Sequence, residues 1–105
     1  MIMGMNMGKI MKQAQEMQKK MAAQQSEIES TDFTGVSPEE MVKVTFSGDR
    51  TMKDMQIKPE AIDPDDPDML SDLVISAVND AIGQINETTQ SKMGKFTQGM
   101  NIPGL

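Results

Sequence analysis

Lys9, Lys12, Lys19 and Lys20 stand at helical spacing near the start of the chain. At 100° per residue they share an arc of about 100° on one helix face. Ammonium groups in such a row act as point charges toward a polyanion, positioning it without reading its sequence. Glu16 falls inside the same arc, four residues from both Lys12 and Lys20, and would neutralise part of the row through local pairs. Lys92 and Lys95 make a second basic spot near the other end of the chain. The plainer reading is a solvated helix face, and composition by itself favours it, because the net charge is −6. That charge is unevenly placed, since residues 1–29 hold four Lys against three Glu, a net of +1. With a Debye length of about 8 Å at physiological salt, a local basic face matters more than the total.

Other chemistries lack their parts. With no His and no Cys among 105 residues, the usual general bases, thiol nucleophiles, disulfides and most transition-metal ligands are missing. No phosphate-binding glycine loop, dinucleotide fingerprint or nucleophile elbow is present. The sequence therefore predicts no enzyme, no cofactor and no small-molecule substrate. The acidic run from Asp63 to Asp68 fails as a calcium loop: counted from Asp63, the sixth position is Asp68 instead of Gly and the twelfth is Val74 instead of Glu. It reads as a helix cap, and no metal is expected. With no Tyr, no Trp and three Phe in all, there is no platform on which unpaired bases could stack. A nucleic acid held here would be a duplex, bound in a salt-sensitive and weakly sequence-selective way.

The lysine row needs a helix to carry it. One is predicted from about Met5 to Ile28, with Met3, Met7, Ile10, Ala14, Met17, Met21, Gln24 and Ile28 falling three and four residues apart. That narrow heptad seam suits a helix–helix contact, including one between subunits, as well as an amphipathic helix on its own domain. The lysine arc lies roughly opposite it. Strands follow: Ser30–Thr34 stopping at Gly35, then the alternating Met41–Ser47, a turn at Gly48-Asp49, and Met52–Lys58 ended by Pro59. Asp66 and Pro67 then open a second helix, predicted to run to about Lys95, whose stripe from Leu70 to Ile85 is wide enough to cover the sheet. The expected fold is α+β: an α-β-β-β-α chain with a three-stranded antiparallel sheet and two long helices, one domain over 1–105. Residues 1–5 and 96–105 read as flexible ends.

Thirteen residues are Met and three are aromatic, which predicts a soft, Met-rich core and a partner subunit to enlarge it. Met1-Ile2-Met3 is too short for a signal-peptide core, and no stretch approaches the roughly 20 apolar residues that cross a bilayer. A soluble cytoplasmic homodimer with no membrane contact is expected.

Met11-Lys12-Gln13-Ala14-Gln15, with Met17 and Met21, resembles the opening helix of the YbaB/EbfC family of bacterial nucleoid-associated proteins. The resemblance continues through Gly35, Val42-Lys43-Val44-Thr45, Gly48, Ile57 and Pro59, then Met69 to Val74, Asn79-Asp80-Ala81, Lys92-Met93, Gly99-Met100 and Pro103-Gly104. It implies a tweezer-shaped homodimer whose helical arms bind double-stranded DNA, change its conformation and influence nucleoid organisation and gene expression. By position it implies Lys12 and Lys92 as DNA contacts; Lys9, Lys19, Lys20 and Lys95 extend the site by charge and geometry. An Arg pair frequent in the family's third strand is Lys53-Asp54 here. A second reading stays open: a dimeric structural or adaptor protein whose arms grip another protein, favoured by the net charge and by Glu16.

Overall fold

A computed structural model describes residues 2–98 of the chain, with side chains from 7 to 94. Helix α1 (Ile2–Glu29) leads into strand β1 (Asp32–Val36), a short 3-10 turn (Pro38–Glu40), β2 (Val42–Ser47) and β3 (Met52–Ile57). A second 3-10 turn (Pro59–Ala61) then precedes helix α2 (Pro67–Gln98). The fold is the α+β arrangement that the pattern predicts. Both helices are longer than expected: α1 begins at Ile2 within the end predicted to be flexible, and α2 continues past Lys95 to Gln98. The predicted flexible residues Met1 and 99–105 lie outside the described residues.

Ser30 and Thr31 do not start the first strand, because they finish α1. Both hydroxyls donate to the Glu27 carbonyl, at 3.1 and 2.7 Å, occupying one of the acceptors a helix end leaves bare. The sheet is antiparallel in the order β1-β2-β3, with Phe33 opposite Phe46 and Val44 opposite Met55. Alternation puts Phe33, Val42, Val44 and Phe46 on one face, where they form the core with Ala77, Ala81 and Ile85 of α2. The other face of the sheet is polar. Asp66 starts α2 as predicted, its Oδ1 accepting the Met69 N–H at 3.2 Å, with Pro67 in the first helical position.

Gly35 is a correction to the predicted strand end, since β1 runs through it to Val36. A Cβ there would lie 2.2 Å from the Ala77 carbonyl oxygen and 2.5 Å from the Ala81 nitrogen. The glycine is therefore the gap that lets α2 settle on β1. Beside it, the outer edge of β1 is closed by α2 side chains: the Val36 N–H donates to Asp80 Oδ2 at 2.9 Å, and Gln84 Nε2 donates to the Thr34 carbonyl at 2.8 Å. Edge strands left open invite unwanted pairing, and here one of the two is covered.

The Met-rich core is also corrected. Among the described residues the fully buried apolar positions are Val, Ile, Phe and Ala, and none is Met. Small and branched residues fill the space between sheet and helix, with Met55 packed at its margin and most other described methionines lying outside it.

Candidate nucleic-acid interface

All four α1 lysines (Lys9, Lys12, Lys19 and Lys20) are exposed, on a helix that carries them over about 17 Å of its length. Duplex DNA presents one charge per roughly 3.4 Å of axis on each strand, so a row of this length spans about five phosphates of one strand. Glu16 is exposed among them, but the pairs it was expected to make with Lys12 and Lys20 are not formed. Among the described residues the one ion pair is elsewhere, between Lys53 and Asp32. The row is free to meet an anion. Lys92 is likewise exposed, on α2, and its neighbour Met93 lines a small depression with Gln25, Ile28, Glu29 and Arg50 where α2 meets the end of α1. The side chain of Lys95 lies outside the described residues.

The side of α1 away from the lysines is apolar and, except at its C-terminal end, exposed. Ile28 is buried at 4% exposure and Met21 and Gln24 are half-buried, but Met7, Ile10 and Met17 are exposed. Between Ile10 and Met21 the seam forms a shallow apolar groove of about 540 Å³, edged by Gln13 and Gln18. The heptad pattern is thus satisfied within the chain only at its C-terminal end.

The sheet carries four basic residues that the predicted site omits. Lys53 is the extra residue of a β-bulge, since Thr45 pairs with Asp54 and Phe46 with Met52. Its ammonium donates to both oxygens of Asp32, at 2.9 and 3.2 Å. Both partners are half exposed, so the pair adds little stability. Arg50, the chain's one arginine, donates to Asn86 of α2 and ties the β2–β3 turn to the helix. Lys43 and Lys58 border a depression of about 380 Å³ with Glu40 and Gln56. Turn position and the single arginine were the signals available for Arg50, and the third-strand comparison was the one for Lys53; nothing marks Lys43 and Lys58 as a site.

The β2–β3 turn is centred on Gly48-Asp49, as predicted, but the residue in the left-handed region is the one after it. Arg50 takes the left-handed conformation, at φ 69°, and its N–H donates to the Ser47 carbonyl at 2.9 Å. Asp49 accepts from the Ser47 hydroxyl and from the Thr51 N–H, and these hydrogen bonds, the Ser47 hydroxyl first, hold its carboxyl below the ordinary Asp range. Gly48 serves another purpose, because a Cβ there would lie 1.8 Å from the Ile28 carbonyl oxygen of α1. No group of three or more His, Cys, Asp or Glu able to hold a metal occurs among the described residues, and no helix among them is long and apolar enough to cross a membrane.

What this assembly offers is an exposed lysine row on a long helix, backed by an apolar groove and held by a small sheet. The model of the YbaB/EbfC DNA-binding family matches residues 3–100. The chain belongs to that family. A nucleoid-associated protein of Lactobacillus delbrueckii subsp. bulgaricus is 56% identical over 97 residues, covering 92% of this chain and 89% of its own. One from Lactococcus lactis subsp. lactis is 54% identical over 96 residues, covering 91% and 97%. An uncharacterized protein from Helicobacter pylori, solved by crystallography, shares the fold with a TM-score of 0.70 at 22% identity, over 84% of this chain and 92% of its own. The YbaB/EbfC match takes in α1 almost from its first residue, the whole sheet and all of α2. Both lysine spots therefore lie inside the part of the chain that defines the family.

Proposed function

We propose that this chain is a nucleoid-associated protein that binds double-stranded DNA as a homodimer. It acts at the nucleoid in the cytoplasm, selects sequence weakly, alters DNA conformation and thereby influences gene expression. The observation that carries the reading is the two-sided α1: a lysine row with no ion partner among the described residues on one side and an exposed apolar groove on the other. Membership of the YbaB/EbfC DNA-binding family supports the DNA partner, as do the names of relatives more than half identical. Two chains joined through their seams would present two rows, eight charges from α1 alone, with Lys92 and Lys95 of α2 adding to them. Lysines give phosphate contacts without base readout, which is the basis for weak selectivity.

A gel-shift series against duplex DNA at increasing salt tests this. If six to eight phosphates are neutralised per dimer, log K against log salt falls with a slope of about −5 to −7. Binding that ignores salt, or that prefers single strands, would sink the phosphate-contact mode. The net charge of −6 favours one other reading, a dimeric adaptor that grips a protein, and a chain that leaves duplex DNA unshifted at low salt would point there.

A further inference from the structure

Three of the methionines lie on the side of α1 where a second copy would sit. Thirteen occur in 105 residues, with no cysteine, so no thiol in the chain competes for an oxidant. None of the α1 methionines Met7, Met17 and Met21 belongs to the core between sheet and α2, so oxidising these three leaves that core standing. Met7, Met17 and Met21 lie on the α1 seam, and the last two line its groove with Ile10, Ala14, Gln13 and Gln18.

We propose that Met7, Met17 and Met21 are modification sites at which peroxide oxidation separates the dimer. The inference rests on the homodimer read above and names a regulation of it. A hydroperoxide transfers one oxygen atom to each thioether: the sulfur lone pair forms the S–O bond, the O–O bond breaks, and sulfur is oxidised by two electrons. The remaining hydroxide fragment takes a proton and leaves as water. The sulfoxide is polar and chiral where the thioether was flexible and apolar. Facing an apolar seam, its oxygen finds only the Gln13 and Gln18 amides at the margins, and an unsatisfied buried acceptor is costly. Oxidation and dissociation are therefore coupled: the separated chain exposes these sulfurs, and the oxidised chain reassociates poorly. Methionine sulfoxide reductases reverse the change.

Met52 supplies an internal control. It is 40% exposed in the single chain and Met17 is 38% exposed, but Met52 lies on β3 and does not line the α1 groove. Protein at about 2 µM and about 200 µM is treated with hydrogen peroxide, sulfoxides are mapped by mass spectrometry, and the mass in solution is read by sedimentation. At the higher concentration Met17 oxidation should slow about tenfold relative to Met52, as mass action closes the seam. Protein oxidised at Met7, Met17 and Met21 should sediment as single chains, and sulfoxide reductase should restore the dimer. A variant with all three changed to Leu, a volume-conserving exchange for a good helix former, should remain dimeric through the same treatment. Oxidised protein that stays dimeric, a triple variant that dissociates like the parent, or Met52 slowing in step with Met17 would each overturn the inference. Untreated protein that is monomeric at both concentrations would instead overturn the dimer reading, and this inference with it.

Discussion

Lys12, Lys19 and Lys20 are exposed and carry no ion partner among the described residues, which makes charge reversal at these positions a clean test of the site. Lys→Glu at all three should abolish duplex binding, because attraction becomes repulsion on both rows of the dimer. Stability should change little, by no more than about 0.5 kcal/mol per exposed site. With Glu16 unpaired, no local ion pair is lost on the way. Glu16→Gln should tighten binding by removing the one negative charge inside the arc. A triple variant that folds and shifts duplex DNA as the parent does would move the site to Lys92 and Lys95. Asp49 gives a second, pH-dependent outcome. Its folded pKa is below the ordinary value of 3.8, so ionised Asp49 stabilises the β2–β3 turn at every pH above that value. The contribution fades as pH falls through the lower folded value. Asp49→Asn should remove that part of the acid sensitivity, seen as a smaller difference in melting temperature between pH 5 and pH 3. An unchanged difference would mean that the turn does not depend on this carboxylate.

At the scale of elements, α2 on the sheet is held by fit. Gly35→Ala would drive a Cβ into the backbone of Ala77 and Ala81, and neither can move without lifting the helix. Overpacking of well-packed sites costs about 1–3 kcal/mol, occasionally more; a clash with helix backbone belongs at the upper end. The measured outcome is a large drop in denaturant midpoint with an unchanged slope, and a variant as stable as the parent would show that α2 does not approach so closely. The same residue shows how far the sequence was legible. Local signals sufficed for the element order, the Asp66-Pro67 helix start, the Val42–Phe46 alternation and the apolar stripe of α2, because each is decided within a few residues. Gly35 looked like a stop because a glycine's use against a helix some 40 residues away leaves no local mark. The bulge at Lys53 is equally non-local, arising only from the register with β2. Methionine content pointed to a soft core because composition counts residues without placing them. The lysine row was legible as a face on one helix; its freedom from Glu16, and the tie between Arg50 and Asn86, needed coordinates.

The whole chain is extended for its length. It measures 79 × 26 × 16 Å with a radius of gyration of 20.9 Å, where a compact domain of this length has about 13 Å. Its accessible surface is 7827 Å², against about 5,800 Å² for a folded monomer of its mass. The excess is of the order that a stable interface removes, about 800 Å² per partner at standard size and more in obligate dimers. Part of it is the apolar groove between Ile10 and Met21, which a chain in water has reason to cover. If a second copy covers it, stability becomes a property of concentration. Each tenfold increase in protein then favours the dimer by about 1.4 kcal/mol and should raise the melting temperature by about 3–6 °C for a unit of this combined size. Met17→Lys should lower the melting temperature at high concentration and flatten its dependence, since a charge would enter the seam without touching the core under α2. The decisive comparison is calorimetry across a hundredfold range of concentration, with sedimentation on the same samples. A melting temperature independent of concentration, with the mass of one chain throughout, would mean that α1 stands alone in solution. The lysine rows would then meet DNA singly, and the salt slope should fall to about half the value expected for the pair.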